Sequence, residues 1–191
     1  MLPLVKTAQD TFKALLDEDI ALLLKGEGFR RRDSTFRRQR NGAWQIVNFQ
    51  RSQFSDSRSI PLAVNLAVAL PELDAAERRW QKRGWPLEYE CDFRARLGVL
   101  VKGEDHWWTL TPLKPVRPTA RAIAGAIEEV GLPWLDLHSD ARRLLRAAVA
   151  DPASVYFMNL PSFHGLAWAL GDREAIEVAE RELARWDRGD R

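Results

Sequence analysis

The dipeptide Asn41-Gly42 restricts the fold of this chain more than any other feature of its sequence. It separates the stretch "TFRRQR" from the stretch "AWQIVNF", in which apolar and polar residues partly alternate. Asn and Gly readily adopt the two positive φ angles of a type I′ turn, so the pair predicts a two-residue β-hairpin. The first strand is expected over residues 33–40 and the second over 43–53, with residue 40 facing residue 43.

The second predicted strand changes character along its length, from "AWQIV" to the polar "NFQRSQ". The next apolar segment, "IPLAVNLAVAL" at 60–70, alternates cleanly and predicts a third strand. If the loop 54–59 closes a second hairpin symmetrically, residue 48 faces residue 65. This register places large side chains opposite small ones, and a slip of one residue would destroy that match.

The two registers predict two different sheet faces. The core face, which helices should cover, consists of Phe36, Val47, Phe49, Val64, Leu66 and Val68. The opposite face carries Thr35, Arg37, Asn48, Gln50, Ala63 and Asn65, with Trp44 and Ile46 towards one end. Such a face can simply be solvated, or Asn48 and Asn65 can bond each other beneath the tail helices. The third interpretation is a binding face, for which the candidate residues are Arg37, Asn48, Gln50, Asn65, Arg94, Arg96 and Trp108.

The remaining segments predict further helices and strands, and together they indicate an α+β fold. Apolar spacing predicts a helix over 4–25 and a short one over 71–82, and alternation predicts strands over 88–101 and 106–112. A further helix is predicted over 119–130, and Gly131 should end it. Three more helices are predicted after capping residues: one from Ser139 or Asp140 to about 149, one from Ser162 to Leu170, and one after Asp172. The expected fold is an N-terminal helix, a five-stranded antiparallel sheet with helices on one face, and a helical C-terminal tail. We expect a sheet domain over 1–115 and a helical region over 116–191, packed together as one compact domain.

Composition limits the possible environments of the chain. Its 191 residues include one cysteine, which excludes an internal disulfide framework. No apolar run is long enough to span a membrane, and charged residues interrupt the N-terminus where a secretory signal would be apolar. The formal net charge is only +2, so no global charge attracts nucleic acid. We therefore expect a cytoplasmic protein that does not associate with membranes.

Motifs of known catalytic or metal chemistry were not found. There is no phosphate-binding glycine loop, His-Glu-x-x-His, Cys-x-x-Cys or Gly-x-Ser-x-Gly. The three histidines, His106, His138 and His164, are far apart, so no metal site is expected. Cys91 is expected to be a buried thiol, and Asp105-His106 a turn with a half-exposed histidine rather than a general base. We assign no catalytic, cofactor or metal residue.

The segment "FRRRDSTFRRQR" holds six arginines, Arg30, Arg31, Arg32, Arg37, Arg38 and Arg40. Together with two phenylalanines, they could bind phosphates. Such arginines more often belong to a charged edge strand or form ion pairs with nearby carboxylates. Trp107 and Trp108 should point to opposite faces of a regular strand, so one of them is expected in the core and the other on the open face.

Five segments resemble a bacterial family. They are "GFRRRDSTFRR" at 28–38, "WQIVNFQRSQF" at 44–54, "VNLAV" at 64–68, "CDFRARLGVL" at 91–100 and "DHWWTL" at 105–110. In this order and spacing they resemble domain of unknown function 4304, over about residues 1–130. The resemblance implies a fold class but no activity. By analogy of fold alone, one possible role is that of an immunity-like protein.

Three functional hypotheses follow. The first is a non-enzymatic domain that binds a protein or peptide through the amide and arginine face. The second is a nucleic-acid-binding protein that uses the arginine-rich hairpin. The third is an enzyme of unrecognised class, with Asn48, Asn65 and Arg94 or Arg96 gathered in a pocket with an acid such as Asp92.

Overall fold

The computed structural model of the protein describes residues 7–73, 80, 82–154 and 159–189. Two helices, α1 (Ala8–Asp17) and α2 (Asp19–Gly26), occupy the region predicted as one helix. The prediction of an unbroken helix is wrong, because the backbone of Glu18 leaves helical geometry with φ −99° and ψ −105°. A capping box begins α1: the Thr7 hydroxyl accepts from the Asp10 amide, and the Asp10 carboxylate accepts from the Thr7 amide.

An antiparallel sheet follows, as the sequence predicted. Its strands are β1 (Arg30–Arg32), β2 (Thr35–Arg40), β3 (Ala43–Arg51), β4 (Ile60–Ala69), β5 (Phe93–Arg96) and β6 (Trp108–Leu110). The order is β1-β2-β3-β4-β5, and β6 also pairs with β4. β1 was not predicted: Asp33, with φ 57°, turns the chain so that Arg31 pairs with Phe36. The arginine-rich segment is therefore itself a hairpin.

Both predicted registers are confirmed. Asn41 and Gly42 have φ angles of 52° and 82°, as a type I′ turn requires. The Phe49 amide donates to the Ser34 carbonyl at 2.9 Å, which is the pairing that the first turn dictates. The Ser52 amide donates to the Pro61 carbonyl, also at 2.9 Å, and this bond fixes the second register.

The two sheet faces differ, but not as simply as predicted. All six residues of the predicted core face are at most 1% exposed. The opposite face is only partly open, because Ile46 and Ala67 are fully buried and Asn65 is 5% exposed. Asn48 is half-buried and Gln50 is exposed. The polar face therefore changes from buried to open along β3.

The prediction of one strand over 88–101 is wrong for most of its length. Residues Glu88–Glu90 form a 3₁₀ turn, β5 covers four residues, and Leu97–Lys102 form helix α3. Gly103, with φ 74°, ends α3 in the left-handed conformation. The predicted helix over 71–82 lies mainly outside the described residues.

The C-terminal half is helical, with one correction. Gly131 does not stop a helix: α4 (Val116–Ala126) continues through a π turn (Ile127–Gly131) into α5 (Leu132–His138). Gly131 instead packs closely, since a Cβ on it would lie 3.5 Å from both the Leu66 and the Leu97 side chains. The later helices are α6 (Ala141–Ala150), α7 (Leu160–Leu170) and α8 (Arg173–Asp187).

The predicted caps are correct for two of these helices. The Asp140 side chain accepts from the Arg143 amide and begins α6, and Asp172 accepts from the Ala175 amide and begins α8. The prediction of Ser162 as the cap of α7 is wrong, because that helix already begins at Leu160. Its predicted end at Leu170 is correct, with Gly171 at φ 65°.

Two compact units make up the structure. The first comprises the chain up to Arg38, Ile46–Leu66 and Arg96–Pro133. The second comprises Gln39–Gln45, Ala67–Ala95 and the chain from Trp134 onward. The division into 1–115 and 116–191 stays a prediction. Among the described residues, no helix is both long and apolar enough to cross a membrane.

Candidate functional site

Three predicted site residues form a hydrogen-bonded amide row, Asn48, Gln50 and Asn65, in the first unit. Asn65 Nδ2 donates to Gln50 Oε1 at 2.9 Å and to Asn48 Oδ1 at 3.4 Å. Asn48 Nδ2 donates in turn to the Thr35 hydroxyl at 2.8 Å. The amides therefore satisfy part of one another's bonding capacity across three strands, as one of the three interpretations expected.

The outer end of this amide row opens into a cleft of about 510 Å³ at the C-terminal end of β3, which we call the β3 cleft. Its lining consists of Gln9, Ser34, Asn48, Phe49, Gln50, Arg51, Ser52 and Ser55. Of these described lining residues, all but Phe49 are polar, and Arg51 alone carries a charge. Four separate segments supply these residues: α1, the β1–β2 turn, β3 and the loop that follows it.

Local hydrogen bonds hold the loop beside the β3 cleft. The Ser52 hydroxyl accepts from the Phe54 amide at 3.1 Å, and the Ser55 hydroxyl donates to the Ser52 carbonyl at 2.7 Å. This turn holds the Phe54 side chain in solvent, where it is 81% exposed. Gln9 ties the loop to α1 by donating to the Asp56 carbonyl at 3.1 Å.

Asp56 stabilises the far side of the same loop. Its carboxylate accepts from the Arg58 and Ser59 amides, each at 2.7 Å. These two backbone bonds hold the pKa of Asp56 below its ordinary value. The loop therefore has its own network of turn bonds.

The other predicted site residues lie in different surroundings. Arg37 is half-buried and faces Arg30 across the β1–β2 pair. In the second unit, Arg94 forms an ion pair with Glu88 at 2.8 Å, while Asn159 bonds both the amide and the carbonyl of Arg94.

In the first unit, Arg96 and Trp107 Nε1 both donate to Asp105, and the Arg96 guanidinium lies 5.0 Å from the centre of the Trp107 ring. The bond from Arg96 is the main reason why the pKa of Asp105 lies below its ordinary value. Trp108 is half-buried with its ring against His106. The expectation that one of the two tryptophans is in the core is wrong, because both are half-buried: Trp107 precedes β6, and Trp108 is the first residue of this three-residue strand.

Among the described residues, Arg31, Arg38 and Arg40 of this cluster form ion pairs with carboxylates. Arg31 pairs with Asp17 at 2.5 Å, and Arg40 with Asp136 at 2.9 Å. Arg38 is buried, pairs with Glu27 at 3.1 Å and lies 4.5 Å from the centre of the Phe29 ring. These contacts match the structural interpretation of the hairpin, in which arginines pair with nearby carboxylates.

The groups considered for catalysis or metal binding have structural partners. Cys91 is a buried free thiol that donates to the Leu87 carbonyl at 3.4 Å, as expected of a structural cysteine. Asp92 accepts from the Leu70 amide at 2.7 Å. His138 is buried against Trp134, and this burial lowers its pKa to about 4. No cluster of three metal-binding side chains occurs in the part of the chain that the structure describes.

Comparison with protein families gives one match. The description "Domain of unknown function (DUF4304)" matches residues 20–137, which is more than half of the chain. The chain belongs to the DUF4304 family. The resemblance seen in the sequence is thus confirmed. No curated protein and no solved structure matches the chain.

The DUF4304 match covers the amide row and most of the β3 cleft, but not Gln9. Sequence reasoning missed six lining residues of this DUF4304 protein: Gln9, Ser34, Phe49, Arg51, Ser52 and Ser55. Asp33-Ser34 is a turn signal that could have revealed the extra hairpin. Nothing local in the sequence indicates that Gln9 reaches the loop after β3.

Proposed function

We propose that this protein is a non-enzymatic interaction domain that binds a protein or peptide partner in the β3 cleft. The observation that carries the proposal is the combination of a polar cleft with the exposed Phe54 on its bordering loop. Interfaces commonly combine an aromatic anchor with nearby hydrogen-bonding groups that fix orientation. Amide side chains suit this task because each both donates and accepts.

The composition of the cleft favours binding over proton-transfer chemistry. No carboxylate or histidine lines it among the described residues. General acid–base catalysis needs a titratable group close to the reacting atoms. The ion pairs of Arg31, Arg38 and Arg40 similarly favour a protein partner over nucleic acid. A cytoplasmic location belongs to the same proposal and agrees with the free thiol of Cys91.

A site-specific photo-crosslinker tests this function in living cells. We would place a benzophenone amino acid at position 54 and, as a control, at position 22, since Leu22 is also an exposed apolar residue, 78% exposed on α2. We expect a discrete protein adduct from position 54 and none from position 22. The adduct should be lost when Gln50→Ala is added, because Gln50 is an exposed cleft residue.

Two outcomes would contradict the proposal. One is the absence of any adduct from position 54, or the same adducts from both positions. The other is an adduct that nuclease shortens and whose yield, in crosslinking of the purified protein, falls steeply as salt is raised, which would favour the nucleic-acid hypothesis.

A further inference from the structure

The loop that follows β3, residues 52–59, begins with a hydrogen-bonded turn that contains Phe54. The Ser52 carbonyl accepts from the Ser55 amide at 3.1 Å, and the Ser52 hydroxyl accepts from the Phe54 amide, also at 3.1 Å. The Ser55 hydroxyl donates to the same Ser52 carbonyl at 2.7 Å. Three bonds therefore fix the backbone that carries the exposed aromatic ring.

Asp56 closes a second turn directly after the first. Its carboxylate accepts from the Arg58 and Ser59 amides, each at 2.7 Å, and its own amide donates to the Ser59 carbonyl at 2.9 Å. An aspartate that bonds the amides two and three residues ahead restricts the backbone between them. Phe54 consequently lies in the first of two adjoining turns, each with its own hydrogen bonds.

Two long-range bonds attach the 52–59 loop to helix α1. Gln9 Nε2 donates to the Asp56 carbonyl at 3.1 Å, and the Ala8 amide donates to the Ser57 carbonyl at 2.9 Å. Ala8 is the first residue of α1 and is fully buried, so the loop is attached to a helix that packs in the core. The result is an aromatic side chain, 81% exposed, on a loop with little freedom to move.

Ordering a loop costs backbone entropy, and an aromatic ring left in water does not offset that cost. A partner that buries the ring gains from the order, because the entropy lost in folding is not lost again on binding. We propose that the 52–59 loop is a preorganised binding loop, in which Asp56 positions Phe54 for insertion into an apolar pocket of the partner. The polar β3 cleft then contacts the rim of that pocket. The inference rests on the proposed function and specifies it: this protein supplies the inserted ring and the partner supplies the pocket.

Order parameters of the backbone amides, from ¹⁵N relaxation, test the preorganisation without any partner. We expect values of about 0.85 for residues 54–59 in the unsubstituted protein and values below about 0.6 after Asp56→Ala. Asp56→Asn should restore the order, because its side-chain oxygen can accept the same two bonds. Asp151→Ala is the matched control, since it removes a similar bond to the Ala153 amide at an exposed turn elsewhere. A flexible 52–59 loop in the unsubstituted protein would overturn the inference.

The photo-crosslinker at position 54 tests whether Asp56 acts on binding. With short irradiation, Asp56→Ala should lower the adduct yield about ten-fold, the factor that corresponds to ordering about one backbone residue on binding. Asp56→Asn should restore the yield, and Asp151→Ala should leave it unchanged. All three variants should remain folded, because both aspartates are exposed. An unchanged yield from an Asp56→Ala protein whose loop has become flexible would contradict the positioning role.

A crosslinker at position 53 tests the insertion of the ring, since Gln53 is exposed and precedes Phe54. Phe54→Ser should abolish the adduct from position 53, whereas Phe54→Leu should retain it, because an apolar pocket accepts either apolar side chain. An adduct that survives Phe54→Ser would overturn insertion while leaving the interaction function intact. The absence of adducts from both positions in the unsubstituted protein would instead overturn the proposed function, and this inference with it.

Discussion

At Asn65, a polar side chain is buried in a sheet because its neighbours supply hydrogen-bond partners. Asn48 and Gln50 lie on the adjacent strand, and both accept from its amide nitrogen. A buried amide without partners would cost more free energy than the sheet gains from it. The sequence predicted that residues 48 and 65 face each other, because a symmetric hairpin around the loop 54–59 sets this register and a slip of one residue would exchange the two faces. It left open whether they bind a ligand or each other, since that depends on exposure.

The gradient of burial along the amide row predicts unequal effects of substitution. Asn65→Ala should lower the free energy of unfolding by about 1–3 kcal/mol, since it removes a buried residue and two hydrogen bonds. Gln50→Ala should change it by less than about 0.5 kcal/mol, because Gln50 is exposed and water can replace its bond. Urea unfolding of both variants provides the measurement. If both variants lost the same free energy of unfolding, the predicted difference between the buried and the exposed amide would be contradicted.

At the scale of elements, the segment after β5 shows where alternation fails as a predictor. The apolar residues of "RLGVLV" fit a strand and also a short helix. The structure contains helix α3, in which Gly98 lies against the backbone of His106. A strand prediction made from the local pattern cannot include this contact, since it joins segments on either side of the Gly103 turn.

Gly98 is therefore expected to tolerate no side chain. A Cβ on it would overlap the His106 carbonyl oxygen and lie 3.0 Å from the His106 nitrogen. We expect Gly98→Ala to destabilise the protein by about 1–3 kcal/mol, as overpacking against rigid backbone does. Gly125→Ala on α4 is the matched control, since its added Cβ would have no atom of the other described residues within 4 Å, apart from its chain neighbours and the backbone of its own helix. Gly125→Ala should stabilise the protein by about 0.5–1 kcal/mol. In thermal unfolding, its melting temperature should therefore rise, whereas that of Gly98→Ala should fall.

At the scale of the whole molecule, the stability should depend on pH through His138. This residue, at the end of α5, is 5% exposed and its ring stacks on Trp134 at 3.9 Å between centres. Its Nδ1 lies 2.8 Å from the Trp134 carbonyl, to which the neutral ring can donate. Burial lowers the pKa in the folded state to about 4 from an ordinary value of 6.5.

Because the folded pKa is depressed, the unfolded chain binds the proton first as pH falls. Stability is then fully present above pH 6.5 and decreases through the window down to about pH 4, by about 3 kcal/mol in total. His138→Phe should remove this part of the acid sensitivity, whereas His164→Phe, at a half-buried position on α7, should retain it. Urea unfolding across this pH range tests the prediction. It would be contradicted if the free energy of unfolding of His138→Phe depended on pH as steeply as that of the unsubstituted protein.

The sequence by itself determined the central hairpins of this DUF4304 protein and their core face. Asn41-Gly42 sets backbone geometry through the local sterics of two residues. The alternation in β4 then follows from the two-residue period of a strand, so the paired amides could be foreseen. Only the tertiary structure decided that Gln9, the β1–β2 turn and the loop with Phe54 meet around those amides. Such a cleft depends on loop and helix positions that distant contacts set, and no local pattern in a sequence encodes these contacts.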